Sequence, residues 1–360
     1  MYPTQATSMV FTGAGDPFMK KQYPLPDPGA GELLVQITYT TICTSDLHTH
    51  SGRRSAPCPG VLGHEIIGRI VRCGANRQTD HNGIALQTGD LITWCVYAFD
   101  ATTEIARKGM PQKSPGIYKY GHQPFTSTDG LNGGFATHCL LKNGTAVFKL
   151  PDTIDPGTVA PINCTHATIA GALRLAGDLK NKNILITGTG MLGLSACAMA
   201  KESGAGTVYA LDINKERLEF SKKFGAARLF NGSLSADEIN NQLSAEEKID
   251  IVIDTTGIPD VMTKGLQLLT TGGQAIWVGA VFTQPPVAVD AEMVVRNLLT
   301  IKGLHNYTIP DLDAAVRFII AKQHDYPFKT LVGAAFPLDR IDEAFALAKK
   351  GLHYRVGVVQ

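Results

Sequence analysis

The chain has 360 residues, 44% of them hydrophobic, which is enough apolar material for two separate cores. Its 33 Lys and Arg residues nearly balance its 32 Asp and Glu residues. This balance excludes a strong positive field for binding nucleic acid and leaves small molecules and protein partners. The first residues, MYPTQATSMVFTG, lack the basic and apolar regions of a signal peptide, so the sequence predicts a cytoplasmic protein.

Along the chain, β-rich sequence comes first and alternating strands and helices follow. Short alternating runs separated by Gly/Pro clusters extend to about residue 165, as in ELLVQITYT and HEIIGRIVRC. From residue 183, strand candidates (NILIT, TVYALD, ARLFN, IDIVIDTT, QAIWVGA) alternate with helical stretches (NKERLEFSKKFG, IPDVMTKGLQLLTTGG). This alternation predicts a parallel, doubly wound sheet. Two helices, PDLDAAVRFIIAKQ and DRIDEAFALAKK, and a strand, YRVGVVQ, are predicted at the end.

Two features argue against a membrane or disulfide-bonded protein. The most apolar stretch, NILITGTGMLGLSACAMA, contains glycines and threonines that suit a strand, a turn and a helix better than a membrane span. The seven cysteines form no CxxC pair, and an odd number at wide spacing is not a disulfide framework. The sequence therefore predicts no membrane association and a reducing compartment.

A glycine motif follows the strand KNILIT. Gly188, Gly190 and Gly193 form the pattern G-x-G-x-x-G before a small-residue helix. The first glycine allows the tight turn, the second lets the backbone approach a pyrophosphate, and the third lets the helix pack on the strand. The helix N-terminus, at Met191 and Leu192, supplies N–H groups and positive dipole charge for the phosphates. The motif predicts a dinucleotide site, although glycines also punctuate ordinary turns.

Asp212 ends the next strand, 24 residues after Gly188, near the offset of about 20 residues expected for an acid that binds the ribose. A carboxylate there accepts from ribose hydroxyls and repels a 2′-phosphate, which favours NAD over NADP. Arg217 lies nearby and could be recruited to such a phosphate. Asp212 could instead cap the helix that begins in INKERL, or serve both roles.

Further motifs, in chain order, are ICTSDLH, GVLGHEIIG, GGFA and PINCTHAT. Together with the glycine motif, the chain resembles the zinc-dependent medium-chain dehydrogenases, the alcohol dehydrogenase superfamily, over nearly its whole length. The resemblance implies Cys43, His64 and Cys164 as ligands of one catalytic zinc, with a fourth position open to water or substrate oxygen. Two thiolates and one imidazole suit Zn²⁺, and three protein ligands are typical of catalytic sites.

The resemblance also implies roles for the residues around these ligands. Asp46 would orient the ligand imidazole of His64. Ser45 would accept the alcohol proton, and His48 would pass it toward solvent, because an imidazole titrates near neutral pH. Glu65 would tune the metal from behind. His50 matches no known role and is predicted to be a surface residue.

Further positions are implied to contact the cofactor. Thr168 matches a residue beside the nicotinamide, and Val278 a backbone contact to its amide. Arg355 matches an arginine that binds the pyrophosphate. Thr44 occupies a position where well-known alcohol dehydrogenases have a phosphate-binding arginine, so one charge of the pyrophosphate site is missing.

Many relatives bind a second, structural zinc through four cysteines in one lobe. Here those positions are Asp100, Thr103, Ala106 and Ser114, and without a thiolate a tetrahedral zinc site cannot form. The sequence predicts one zinc per chain and no structural zinc. Packing and hydrogen bonds would then hold the lobe, unless it is mobile.

The resemblance predicts a GroES-like, β-rich catalytic domain and a Rossmann domain with a doubly wound parallel sheet. The catalytic domain is expected over residues 1–165 and 304–360, and the NAD-binding domain over 166–303. Relatives assemble through a late strand of the nucleotide domain. The segment PPVAVDAEMVVRN is therefore expected to support a homodimer or homotetramer.

The predicted function is hydride transfer between NAD and a polar secondary alcohol or its ketone. The segment HTHSGRRSAPCPGVLGHE, together with GMPQK and KYGH, resembles the branch associated with phosphonate catabolism and cyclitol dehydrogenases. The substrate would be a cyclitol, another polyol or a hydroxyalkylphosphonate-like compound bound by Arg53 or Arg54, although both arginines could be solvated loop residues. The alternatives are an NAD(P)H-dependent reductase of an activated ketone and a non-catalytic nucleotide-binding relative.

Overall fold

The computed structural model describes residues 4–360 and divides them into two compact units. The first unit contains the chain up to Cys164, together with Thr308–Gln323 and Phe328–Gln360. The second contains Thr165–Tyr307 and His324–Pro327. The C-terminal part of the chain thus returns to the unit in which the chain began.

The strands, in chain order, are β1 (Gln5–Phe11), β2 (Met19–Pro24), β3 (Leu33–Thr41), β4 (Gly60–Val61), β5 (Glu65–Cys73), β6 (Leu91–Ala98), β7 (Tyr118–Lys119), β8 (His138–Leu141), β9 (Thr145–Lys149), β10 (Ile184–Thr187), β11 (Val208–Asp212), β12 (Arg228–Asn231), β13 (Ile249–Asp254), β14 (Leu269–Trp277), β15 (Thr300–Gly303), β16 (Val332–Pro337) and β17 (Arg355–Val359).

The helices, in chain order, are α1 (Thr44–His50), α2 (Glu104–Arg107), α3 (Pro156–Val159), α4 (Thr165–Ala176), α5 (Met191–Glu202), α6 (Lys215–Phe220), α7 (Ala236–Asn240), α8 (Pro259–Gln267), α9 (Ala291–Arg296), α10 (Ile309–Lys322) and α11 (Ile341–Lys349). Short 3₁₀ turns occur at Pro111–Lys113, Ala160–Asn163, Ser221–Phe224, Ala245–Glu247, Phe328–Leu331 and Leu338–Arg340.

The first unit is built on a large sheet with the order β16-β17-β3-β5-β6-β7, to which β8 and β9 are added on β3 and β6. Most neighbouring strands of the large sheet are antiparallel. The same unit also contains a small antiparallel sheet with the order β2-β1-β4. Val35, Ile37, Trp94 and Val147 are among the fully buried residues of its core. This is the β-rich, GroES-like half that the sequence predicts.

The second unit contains one parallel sheet with the order β12-β11-β10-β13-β14-β15. Numbered within the unit, this order is 3-2-1-4-5-6, that of the Rossmann fold. Strands that follow β10 are first added on one side of it (β11, β12) and then on the other (β13, β14, β15), so the strand order reverses between β10 and β13. In such sheets, ligands bind beyond the carboxyl ends of the strands at this point. The predicted fold class, GroES-like plus Rossmann, is confirmed.

No helix among the described residues is long and apolar enough to cross a membrane. The most apolar stretch of the sequence forms β10, a glycine turn and most of α5. The stretch therefore forms the strand, turn and helix predicted from its glycines and threonines.

Two predicted elements of the second unit are wrong. The helix expected to extend through LLTTGG ends at Gln267, and β14 begins at Leu269. The segment PPVAVDAEMVVRN contains no strand; it enters α9, because the Asp290 side chain accepts a hydrogen bond from Met293 N–H at 3.1 Å and caps the helix. The edge strand of the sheet is β15, which follows that helix.

His138, the first residue of β8, predicts an acid-dependent loss of stability. Burial, with a smaller contribution from Arg72, lowers the pKa of this imidazole from 6.5 to about 4. The unfolded chain therefore binds a proton that the folded chain does not as the pH falls from 6.5 to 4. Over that interval the folded state should lose about 3 kcal/mol through this residue. Urea denaturation between pH 6.5 and 4 measures this loss, and the variant His138→Gln should lack it. If the free energy of unfolding fell equally with pH in both proteins, the proposed role of His138 would be contradicted.

Candidate functional site

Three potential metal ligands from distant parts of the chain meet in the first unit. Cys43 immediately precedes α1, His64 immediately precedes β5, and Cys164 follows the 3₁₀ turn Ala160–Asn163. One donor atom from each lies within 4.8 Å of the other two. Within residues 4–360, these side chains form the one such cluster of His, Cys, Asp and Glu residues that could hold a metal ion. Two sulfurs and one imidazole suit zinc, so the residues fit the metal.

Asp46 connects two of these ligands. Its carboxylate accepts hydrogen bonds from Cys43 N–H at 3.0 Å and from Gly63 N–H at 3.3 Å. Asp46 Oδ1 also lies 3.3 Å from His64 Nδ1. Burial lowers the pKa of His64, but the carboxylate of Asp46 and the sulfur of Cys43 outweigh it and raise this pKa to about 10. Asp46 thus lies beside Nδ1, and a neutral His64 would bind a metal through Nε2.

The two cysteines and Arg355 form a polar group in the protein interior. The pKa of Cys43 is well below its usual value, because the Cys164 thiol donates a hydrogen bond to its sulfur and because Arg355 is close. Arg355 Nη2 lies 3.6 Å from Cys43 Sγ. This arrangement favours a thiolate at Cys43, which is the form that binds metals.

Behind Cys43, Glu65 and Arg355 form a buried, two-point ion pair. Arg355 Nε donates to Glu65 Oε2 at 2.7 Å, and Nη2 donates to Oε1 at 2.8 Å. The Thr41 hydroxyl also donates to Glu65 Oε2, at 2.5 Å. Glu65 and Arg355 are 0% and 5% exposed. The sequence did not indicate this pair, and the predicted contact of Arg355 with a pyrophosphate stays a prediction.

Ser45 and His48, the predicted proton path, are on α1. Ser45 Oγ lies 3.3 Å from His64 Nε2, beside the place where a metal would bind. His48 is half-buried, and its pKa is lowered by burial and by the charges of Arg53 and Arg54. An imidazole with a lowered pKa is uncharged near neutral pH and can accept a proton.

His50, at the end of α1, is not a surface residue as predicted. Its side chain is 4% exposed and packs against aromatic rings, with centroids 5.4 Å from Phe18 and 5.0 Å from Phe345. The prediction failed because the rings that cover His50 come from remote segments of the chain. His50 therefore belongs to the packing that holds α1 in place.

The lobe that binds a structural zinc in many relatives is held here by hydrogen bonds. The Thr103 hydroxyl donates to Asp100 O at 2.9 Å, and its oxygen lies 3.1 Å from Ser114 Oγ. Ser114 is 3% exposed. Three of the four positions that would otherwise carry cysteines are thus connected directly by polar contacts.

This lobe leads to a prediction about metal content. Purified protein should contain one zinc per chain by elemental analysis, because thiolates are absent from all four lobe positions. In Thr103→Val, which removes the hydroxyl contacts, the lobe should become more susceptible to proteases while the zinc content stays at one. A value of two zinc ions per chain in the wild type would contradict the prediction.

The glycine motif lies in the second unit, directly after β10. A Cβ atom built on Gly193 would lie 1.8 Å from Gly188 O, so only glycine allows this approach of helix and loop. A Cβ built on Gly190 would meet no other atom within 4 Å, which leaves open space against the backbone. The first N–H groups of α5, those of Met191 and Leu192 among them, have no intrahelical acceptor. The loop therefore fits a pyrophosphate.

Asp212 also supports this loop. Its Oδ2 accepts hydrogen bonds from Thr189 N–H at 2.7 Å and Thr189 Oγ1–H at 2.8 Å. The residue that caps α6 is Asn214, whose side chain accepts from Arg217 N–H at 3.0 Å. The alternative role of Asp212 as that cap is thus wrong, and its predicted contact with a ribose stays a prediction.

Three other predicted cofactor residues occupy different local environments. Thr44 is exposed at the start of α1. Thr168 is half-buried in α4. Val278 follows β14, and its N–H donates a hydrogen bond to Asp254 O at 3.0 Å. Their roles, like that of Arg217, stay predictions.

Two further residues, not predicted from the sequence, lie beside the metal ligands. Asn163 precedes Cys164; its Oδ1 accepts from Ile66 N–H at 3.2 Å and its Nδ2 donates to Trp94 O at 3.0 Å, which ties Cys164 to β5 and β6. His122 packs against His64 with ring centroids 5.3 Å apart. The segments PIN and KYGH contain them, but no local pattern indicates that either residue reaches the ligands.

Two stretches of the chain match known families. Residues 29–152 match "Alcohol dehydrogenase GroES-like domain", and residues 192–321 match "Zinc-binding dehydrogenase". Sorbitol dehydrogenase of Ovis aries is 31% identical over 359 residues, 97% of this chain and 95% of the relative. 5-exo-hydroxycamphor dehydrogenase of Pseudomonas putida is 27% identical over 347 residues, 92% of each. An alcohol dehydrogenase structure from Thermotoga maritima has a TM-score of 0.92 and 25% identity, covering 99% of both chains.

Proposed function

Because this chain belongs to the zinc-dependent medium-chain dehydrogenases, the alcohol dehydrogenase superfamily, we propose that it transfers a hydride between NAD and a polar secondary alcohol. It is an NAD-dependent, zinc-type alcohol oxidoreductase. The proposed substrate is a cyclitol, another polyol or a hydroxyalkylphosphonate-like compound. The observation that supports the site most directly is the meeting of Cys43, His64 and Cys164 within 4.8 Å.

The residues around the cluster support the proton transfers of such a reaction. Bound zinc would act as a Lewis acid toward the substrate oxygen, and NAD would take the hydride. We propose that Ser45 accepts the hydroxyl proton, because its Oγ lies 3.3 Å from the ligand nitrogen of His64. His48, uncharged near neutral pH, would receive that proton and release it to solvent. Asp46 would hold His64 in place throughout.

The substrate class is supported by the similarity to sorbitol dehydrogenase, whose name refers to a polyol. The decisive experiment measures NAD reduction with a panel of cyclitols, sugar alcohols and hydroxyalkylphosphonates, with and without a zinc chelator. Chelator-sensitive NADH formation with a panel member would support the proposal. Activity only as NADH oxidation with activated ketones would favour the reductase alternative, and bound NAD without turnover of any compound would favour the non-catalytic one.

The arginines after α1 offer a separate prediction. Arg54 is half-buried and Arg53 is exposed, and both backbone N–H groups donate to His48 O, at 3.2 and 2.9 Å. If either side chain binds an anionic substrate, its replacement by alanine should lower kcat/KM for a hydroxyalkylphosphonate by about tenfold to a hundredfold, because charge-assisted hydrogen bonds contribute about 1.5–3 kcal/mol. Unchanged kcat/KM in both variants would show that the arginines are solvated loop residues.

We also propose that the protein is a homodimer or homotetramer. β15 is an edge strand, and Val295 and Leu298 in the segment before it are 72% and 70% exposed. Apolar residues next to an unpaired strand edge favour association with a second copy. Light scattering after gel filtration tests this, with Val295→Asp and Leu298→Asp as variants expected to weaken the assembly.

A further inference from the structure

We propose that His122 binds a second hydroxyl group of the substrate, on the carbon next to the one that is oxidised. This inference rests on the proposed function and deepens it, because it selects vicinal diols and polyols from the proposed substrates. His122 would be a specificity-determining residue. The hydroxyl group on the reacting carbon would be bound at the metal site, and Ser45 would accept its proton.

The hydrogen bond of His122 fixes its tautomer. Nδ1 lies 3.0 Å from Tyr120 O, and a carbonyl oxygen only accepts, so Nδ1 carries the proton. An uncharged imidazole then has a lone pair on Nε2, which only accepts. Among residues 4–360, the hydrogen bond of this half-buried side chain is the one at Nδ1. Nε2 is thus available to accept a hydrogen bond from a substrate hydroxyl.

The backbone around His122 holds the ring close to the metal ligands. Gly121 has a φ of +75°, and a Cβ built on it would lie 2.5 Å from Gly63 O and 3.2 Å from His64 Cβ. Its N–H donates to Asn132 O at 2.8 Å. A glycine is therefore required for the segment to pack against the ligand, and the neighbouring ring is 5.3 Å from that of His64. With the reacting oxygen held at the ligands, the proposed arrangement places the hydroxyl of the neighbouring carbon at this ring.

The charges around His122 distinguish a hydroxyl from an anion. Lys119 and Arg54 both interact electrostatically with the imidazole, and ammonium and guanidinium groups only donate hydrogen bonds. A group that bridged one of these cations and Nε2 would have to offer a lone pair to the cation and a proton to Nε2. A hydroxyl offers both, whereas a phosphonate or carboxylate would place its charge against the lone pair of Nε2. The acceptor at Nε2 therefore favours a group that carries a proton, as the hydroxyl of a neutral polyol does.

The test compares two ring alcohols that differ by one hydroxyl, trans-1,2-cyclohexanediol and cyclohexanol. The measured quantity is the ratio of kcat/KM for the diol to kcat/KM for cyclohexanol in the zinc-loaded enzyme with NAD. His122→Phe keeps a ring but has no acceptor, and the ratio should fall by about tenfold or more, since a lost hydrogen bond leaves a polar group unpaired. His122→Gln places an amide oxygen near the position of Nε2, and its ratio should stay within about threefold of the wild type.

His81→Gln serves as the matched control, because His81 is an exposed histidine of the same unit and lies outside the site. Zinc content and thermal midpoint are measured for every variant to separate folding from recognition. An unchanged ratio in His122→Phe would overturn the inference, as would equal losses for both alcohols, which would mean that His122 contacts the reacting oxygen. A larger loss with 2-hydroxypropylphosphonate than with the diol would also overturn it in favour of an anion.

The failure of the proposed function would look different. If the wild type oxidises no cyclitol, other polyol or hydroxyalkylphosphonate, the proposed function fails, and calorimetric binding of the diol to the enzyme loaded with zinc and NAD then tests the inference. Binding that is weaker by about tenfold in His122→Phe and retained in His122→Gln would support it. Equal binding by all variants, or no binding by the wild type, would overturn it.

Discussion

Replacing Cys164 with serine is expected to remove most of the bound zinc and to lower kcat/KM for the alcohol by at least about a thousandfold. A Lewis acid contributes several kcal/mol to such a reaction, and about 1.4 kcal/mol corresponds to a factor of ten. Serine has almost the shape of cysteine but is a poor zinc ligand, because its hydroxyl does not ionise as a thiol does. The substitution therefore tests the ligand role with little change in packing.

Elemental analysis and NADH formation measure the two effects in the same preparation. Cys58→Ser and Cys73→Ser are suitable controls, because both cysteines are exposed and lie outside the ligand cluster. They should keep one zinc per chain and the wild-type rate. Full zinc occupancy in Cys164→Ser, with wild-type activity, would remove Cys164 from the proposed ligand set.

The second large effect is expected for Arg355→Met, which should lower the free energy of unfolding of the first unit by about 3–5 kcal/mol. Methionine fills much of the space but leaves the carboxylate of Glu65, which is 0% exposed, without its cation. The cost of an uncompensated buried charge exceeds what the ion pair itself contributes. The double variant Arg355→Met/Glu65→Met removes both charges and should recover most of the loss.

Urea denaturation of the zinc-loaded protein measures this effect. Trp94, which is 0% exposed in the first unit, reports its unfolding in a background with Trp277→Phe, since the chain has two tryptophans. Arg69→Met is the matched control: Arg69 Nη1 lies 2.7 Å from Asp152 Oδ1, but the two side chains are 41% and 74% exposed. It should cost less than about 1 kcal/mol. Equal losses in Arg355→Met and Arg69→Met would contradict the interpretation.

The sequence predicts the architecture well where periodicity is strong. The parallel sheet follows from apolar runs such as the one in β10, whose four residues are all buried, because strands covered on both faces are mostly apolar. Predictions failed where a local cap or a short polar stretch decides the structure. Asp290 starts a helix in a segment expected to contain a strand, and β14 begins in LTTGG, a stretch in which two glycines weaken the strand signal.

The site divides in a similar way. Motif spacing identifies Cys43, His64 and Cys164 as a group, and the structure brings them together. The ion pair of Glu65 with Arg355 joins residues 290 positions apart, and no pattern in the sequence connects them. The buried ring of His50 was missed for the same reason, since Phe345 reaches it from the far end of the chain. Long-range pairing and burial are properties of the folded chain.

The hydrogen-bonded lobe around Thr103 has a consequence for the response to oxidants. A lobe built on four zinc thiolates can be oxidised, lose its metal and form disulfides. Hydroxyl and carbonyl groups do not undergo this chemistry, and the positions Asp100, Thr103, Ala106 and Ser114 carry no sulfur. Peroxide damage at the metal should therefore be confined to the cluster of Cys43 and Cys164, and re-reduction with fresh zinc should restore the enzyme without refolding of the lobe.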